Sequence, residues 1–94
     1  MIAYKAAYKK CEDGWYTAWV IDFPGAISQG RPLNRARIML ADALQLMAET
    51  CILHGKPIPP PNPNAHDNEA DVVEPIFLNI QTGSRLEQQV ARPS

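Results

Sequence analysis

The sequence predicts an α+β domain of order β-β-β-α-β, an antiparallel-dominated sheet with one long helix packed on it. Three observations carry that expectation. The first thirty residues alternate apolar and polar side chains between turn signals, a single 3.6-residue pattern follows from residue 32 to 54, and a β-rich run, VVEPIFLNI, returns after a proline-rich stretch. At 94 residues the chain is long enough for one modest core and predicts one domain.

Residues Ile2 to Lys10 place Ile2, Tyr4, Ala6 and Tyr8 on one face and Lys5 and Lys9 on the other, the signature of a half-buried strand. Asp13-Gly14 tolerates the positive φ of a tight hairpin turn, and Trp15 to Ile21, aromatic and β-branched, reads as the returning strand. Pro24-Gly25 forces a sharp exit, and Ala26 to Gln29 is a short third strand. Past Gly30, Pro32 suits the first helical position, where its missing N–H is no loss, and the helix runs to His54 before Gly55 and Pro57 end it.

Leu33, Ala36, Leu40, Ala43, Leu44, Met47 and Cys51 form the stripe expected to face the sheet, while Met39, Leu46 and Leu53, spaced by seven, lie on its flank. An exposed apolar row of that kind predicts an oligomer contact, a dimer or tetramer. The stretch from Lys56 to Asp71 combines five prolines with polar residues and predicts a stiff, then flexible, loosely packed loop over 59–71. Val72 to Ile80 is the fourth strand, with Pro75 marking an edge position or a bulge. The domain is therefore assigned to 1–58 plus 72–80, and 81–94 to a polar tail.

A formal net charge of −1 supplies no global field for nucleic acid or an anionic membrane, and no run of about 20 apolar residues spans a bilayer. Cys11 and Cys51 match no zinc or redox spacing, and the N-terminus lacks a signal-peptide pattern, so the expectation is a cytoplasmic protein with reduced thiols, no metal and no cofactor.

Catalysis by paired carboxylates needs acids that converge, and these are dispersed along the chain. Asp22, beside the Pro-Gly turn, is read as an acceptor for the turn's backbone. Cys51 and His54 are half a metal site without its other half, so the chain is not read as an enzyme. Tyr4, Tyr8, Trp15, Tyr16 and Trp19 beside Lys5, Lys9 and Lys10 imitate a stacking platform for single strands, but the reading preferred is the common filling and protection of a two-stranded hairpin. Arg31, Arg35 and Arg37 oppose the helix dipole by about 0.3–1 kcal/mol each, which makes them a candidate anion contact or a solvated cluster.

Taken together, a Tyr-rich first strand, DGWYTAWVIDFPG, SQG before the helix, ARIMLADALQLM within it and GKPIPPP after it resemble the HicB-like antitoxins of bacterial toxin–antitoxin pairs, over Tyr4 to Pro61. The resemblance implies a partial ribonuclease H-like fold without catalytic acids that binds and occludes a small, basic HicA-type mRNA interferase toxin. Glu12, Asp13, Asp22, Asp67, Glu69 and Asp71 are the acids available to complement such a partner. Where relatives open the helix with a Ser or Thr cap and acids, this chain has RPLNRA. Relatives that read DNA carry a further C-terminal domain, and SRLEQQVARPS is too short to be one, so specific DNA binding by this chain alone is not expected. The alternative is a small oligomeric binding module for a peptide or nucleic acid.

Overall fold

A computed structural model describes residues 1–79. The strands are β1 (Ile2–Lys10), β2 (Tyr16–Val20), β3 (Ile27–Gly30) and β4 (Val72–Leu78), and one long helix, α1 (Leu33–Leu53), separates β3 from β4. All pairings are antiparallel in the order β3-β2-β1-β4, which is the predicted β-β-β-α-β architecture. Ile80 and the tail assigned to 81–94 lie outside the described residues.

Alternation along the strands sorts the two faces. Tyr4, Ala6 and Tyr8 of β1, Ala18 and Val20 of β2, and Ile76 and Leu78 of β4 point to one side and are buried with Ala36, Leu40, Leu44 and Ala48 of α1. Phe23 closes the end of this core, its ring edge-on to Tyr4 with centroids 5.3 Å apart. The predicted stripe omitted Ala48; Leu33, Met47 and Cys51 pack on the margin of the core instead of within it.

Asp13 and Gly14 take φ of 61° and 78° at the hairpin, the conformation that an Asp-Gly pair admits most readily. Pro32 occupies the N-cap, one position earlier than predicted, and its carbonyl accepts from Arg35 and Ala36. At the other end Gly55, φ 68°, donates to Ile52 O and Lys56 to Cys51 O, so a glycine-terminated cap satisfies the last carbonyls.

Gly30 sets how closely the helix can approach. A Cβ there would stand 2.6 Å from the Ala36 nitrogen, so only glycine lets α1 start hard against the end of β3.

The edges differ. Lys5 O accepts from Ile21 on the β2 side of β1, whereas Tyr8 O accepts from Asp71 on the β4 side. Alternation then directs the backbone groups of Val73, Pro75 and Phe77 away from β1, so Pro75 removes a donor from the outer edge and breaks no bond of the ladder.

Leu40 is fully buried, and Leu40→Ala should cost about 2–5 kcal/mol, read as a lowered denaturant midpoint with unchanged slope. Gly30→Ala should cost about 1–3 kcal/mol or more, because backbone rather than a movable side chain opposes the added carbon. A midpoint equal to wild type in either variant would contradict this packing.

Candidate interaction surfaces

The segment following the helix is strapped to the sheet. Tyr4 OH donates to Pro59 O at 2.6 Å, and Ile58 packs on the core. Asp22 then fastens the strap: Oδ1 accepts from the Lys5 N–H and Oδ2 from the Asn62 N–H, each at 2.9 Å. The carboxylate thus caps the β1–β2 ladder and holds the strap, rather than serving the Pro-Gly turn as the sequence suggested. Its partners lie 17 and 40 residues away, beyond any local pattern.

Past Asn62 the chain crosses the sheet face opposite the helix. Lys5 Nζ donates to Pro63 O at 2.6 Å and Ala65 O at 3.2 Å, and Trp19 Nε1 donates to Asp67 Oδ2 at 3.2 Å. Asp71 closes the excursion, its N–H donating to Tyr8 O and its Oδ2 accepting from Lys10 N–H at 2.6 Å. The loosely packed loop expected over 59–71 is instead tied at both ends and in the middle. Proline lowers the entropy lost on ordering such a strap, so few bonds suffice to hold it.

This placement divides the six acids proposed for partner contact. Asp22, Asp67 and Asp71 give their carboxylates to backbone or indole donors. Glu12 and Asp13 are exposed at the hairpin, and Glu69 is exposed on the loop, where Lys9 Nζ reaches its carbonyl oxygen.

The arginines are also separated. Arg31 lies over the Trp15 ring at 5.4 Å and donates to Asp13 O at 3.2 Å. Arg37 forms a two-pronged ion pair with Glu74 of β4, Nε to Oε1 at 2.7 Å and Nη2 to Oε2 at 3.3 Å, while Nη1 donates to Asn34. Arg35 is exposed and forms no ion pair among the described residues. No single anion cradle results.

Met39, Leu46 and Leu53 are all exposed, as are Val73 and Phe77 on the outer face of β4. The tyrosines of the suggested stacking platform behave differently: Tyr4 and Tyr8 are buried beneath the helix. Burial first, and then the Glu74 charge, pushes the Tyr8 hydroxyl up to about 12, and burial with the Asp22 charge raises Tyr4. Among the described residues no group of three or more His, Cys, Asp or Glu could hold a metal ion, and no helix is long and apolar enough to cross a membrane.

No protein-family model and no curated protein matches the sequence. Solved structures do match the fold. The N-terminal domain of the Burkholderia pseudomallei antitoxin HicB superposes with a TM-score of 0.67 at 19% identity, over 84% of this chain and 100% of that one. The Burkholderia pseudomallei antitoxin HicB gives a TM-score of 0.70 at 22% identity, over 85% of this chain and 65% of that one. The chain shares the fold of that N-terminal domain and spans 65% of the longer HicB chain.

Asp22→Ala leaves the Lys5 and Asn62 N–H groups without their acceptor and should cost about 1–3 kcal/mol. Amide exchange at Asn62 and proteolysis within 59–65 should both accelerate. Unchanged exchange at Asn62 would remove Asp22 from the role of anchor.

Both buried tyrosines titrate above their ordinary 10.0 in the folded chain, so the unfolded chain loses those protons first. Their contribution to stability is whole below pH 10 and declines as pH rises from there, for Tyr8 through about 12. Tyr8→Phe should flatten that decline in denaturant midpoints measured across the alkaline range.

Proposed function

We propose that this chain is a HicB-like antitoxin domain that acts by binding, not catalysis: it engages a small basic ribonuclease of the HicA type in the cytoplasm and covers its RNA-binding surface. The observation that carries the reading is the correspondence with the whole of the HicB antitoxin's N-terminal domain. Two features of the side chains support it. Asp22, Asp67 and Asp71 are committed to donors within the fold, which argues against a converging acid site. Glu12, Asp13 and Glu69, exposed and with carboxylates that accept no hydrogen bond among the described residues, remain available to a basic partner. The exposed apolar pair Val73 and Phe77 adds a surface that such a partner can dehydrate. Specific recognition of duplex DNA is not part of the proposed role of this segment.

The test is co-expression with any short basic protein encoded beside this one; the lack of such a frame counts against the reading. This chain should co-purify with it, restore growth and suppress its RNA cleavage. A neighbour harmless by itself, or one whose cleavage continues in the presence of this chain, would give way to the reading as an oligomeric binding module. Where a complex forms, Glu12→Lys combined with Glu69→Lys should slow association by roughly tenfold at low salt and converge with wild type at high salt, since exposed charges act mainly through steering.

A further inference from the structure

The sheet face opposite the helix has a charge pattern of its own. Among the strand residues that alternation places there, the charged ones are Lys5 and Lys9, and none is an acid. Trp19 lies beside them. The row continues past the start of β2: Trp15 has extended backbone, its carbonyl accepts from Cys11 N–H at 2.7 Å, and Cys11 Sγ stands 3.3 Å from Thr17 Oγ1 of the same face. Arg31 packs on Trp15, whose ring is still 40% exposed. Two indoles about 13 Å apart along the strand direction therefore share one surface with three cations.

The acids that cross this surface come from the strap. Asn62 to Asp71 contains Asp67, Glu69 and Asp71 and no lysine or arginine. It delivers an acceptor at every second residue: Pro63 O and Ala65 O to Lys5 Nζ, Asp67 Oδ2 to Trp19 Nε1, and Glu69 O to Lys9 Nζ. An extended chain with negative charge and evenly spaced acceptors is a stand-in for the backbone of a single nucleic-acid strand. These bonds are exposed or half-buried, and the segment contributes no strand to the ladder, so it is the part of the fold that opens most readily.

We infer that the strap is a reversible cover over a binding surface for single-stranded nucleic acid, and that strap and strand compete for Lys5, Lys9 and Trp19. When 62–71 lifts, phosphates take up the two ammonium groups, and bases stack on Trp19 and on the face of Trp15 that Arg31 leaves open. The chemistry selects this ligand. A duplex turns its bases inward and offers the indoles no partner, and an acidic peptide satisfies the lysines but has no bases to stack. The net charge of −1 is no obstacle, because lifting the strap withdraws Asp67 and Glu69 from the surface.

The covered state is the resting one, so the apparent affinity of the wild-type chain is lowered by the fraction of molecules that are open. Asp22 sets that fraction, since it anchors the strap at Asn62. The inference does not depend on the antitoxin reading.

The test is fluorescence anisotropy of a labelled oligothymidylate of about twelve nucleotides, titrated with the full chain at low salt. Asp22→Ala should bind it about tenfold or more tightly than wild type, while Asp42→Ala, which removes the same charge from the exposed side of the helix, should change affinity by less than about twofold. Asp67→Ala, which frees Trp19 without touching the anchor, should also tighten binding, and it supplies the comparison if circular dichroism shows Asp22→Ala unfolded. Adding Lys9→Glu to the tighter variant should lose about tenfold, and affinity should fall with salt. In the wild-type chain, bound oligonucleotide should shift the Trp19 indole N–H resonance and speed amide exchange at Asn62 together. Absence of binding by the folded strap variants at several hundred micromolar, equal gains from the strap variants and Asp42→Ala, exchange at Asn62 indifferent to the bound strand, or equal affinity for a duplex or for polyglutamate would each overturn the inference.

Discussion

A sheet has two faces, and this chain has one long helix with which to cover them. That mismatch organises the molecule. The helix covers one face with alanine and leucine packed on tyrosine, and the middle of the second face is covered by extended chain, which brings no regular hydrogen bonding of its own and leaves Ile27, Val73 and Phe77 exposed at the margins. Asp22 makes the arrangement workable. It stands where the β1–β2 ladder ends and holds the strap at the point where it passes from one face to the other. A single carboxylate thus couples the hairpin to a segment some forty residues later, and the covering of Ala7 on the second face follows from it.

The regular elements were legible because their signals are local. Alternation in Ile2–Lys10, the Asp13-Gly14 turn and the glycines on either side of the helix, Gly30 and Gly55, each act within a few residues. The strap was not legible, because its composition speaks only of stiffness and polarity while its contacts are long-range: Trp19 with Asp67, Lys5 with Pro63, Tyr4 with Pro59. Acids counted as one recognition surface were accordingly of two kinds. A hint existed in Trp19 and Lys5, which share one face of the hairpin and required partners that no nearby residue supplies. The arginines illustrate the same limit. Their clustering in sequence is real, yet three successive directions around the helix start send one to an aromatic ring, one to β4 and one to solvent.

Electrostatics here is mostly internal bookkeeping of backbone donors, with comparatively little charge left over for recognition. The carboxylates of Glu12, Asp13 and Glu69 lie at the hairpin and on the loop, Asp42 is exposed on the helix, and the exposed apolar residues are distributed over the helix flank and the two outer strands. A chain of this kind recognises by shape and dehydration, with charge adjusting approach and register.

Pro75 bears on stoichiometry. Two open edges on one sheet permit head-to-tail addition without limit, the geometry of filaments. With a donor deleted at the middle of β4, that edge is a poor template for further strands. One imino acid therefore guards one of the two sheet edges against open-ended strand addition.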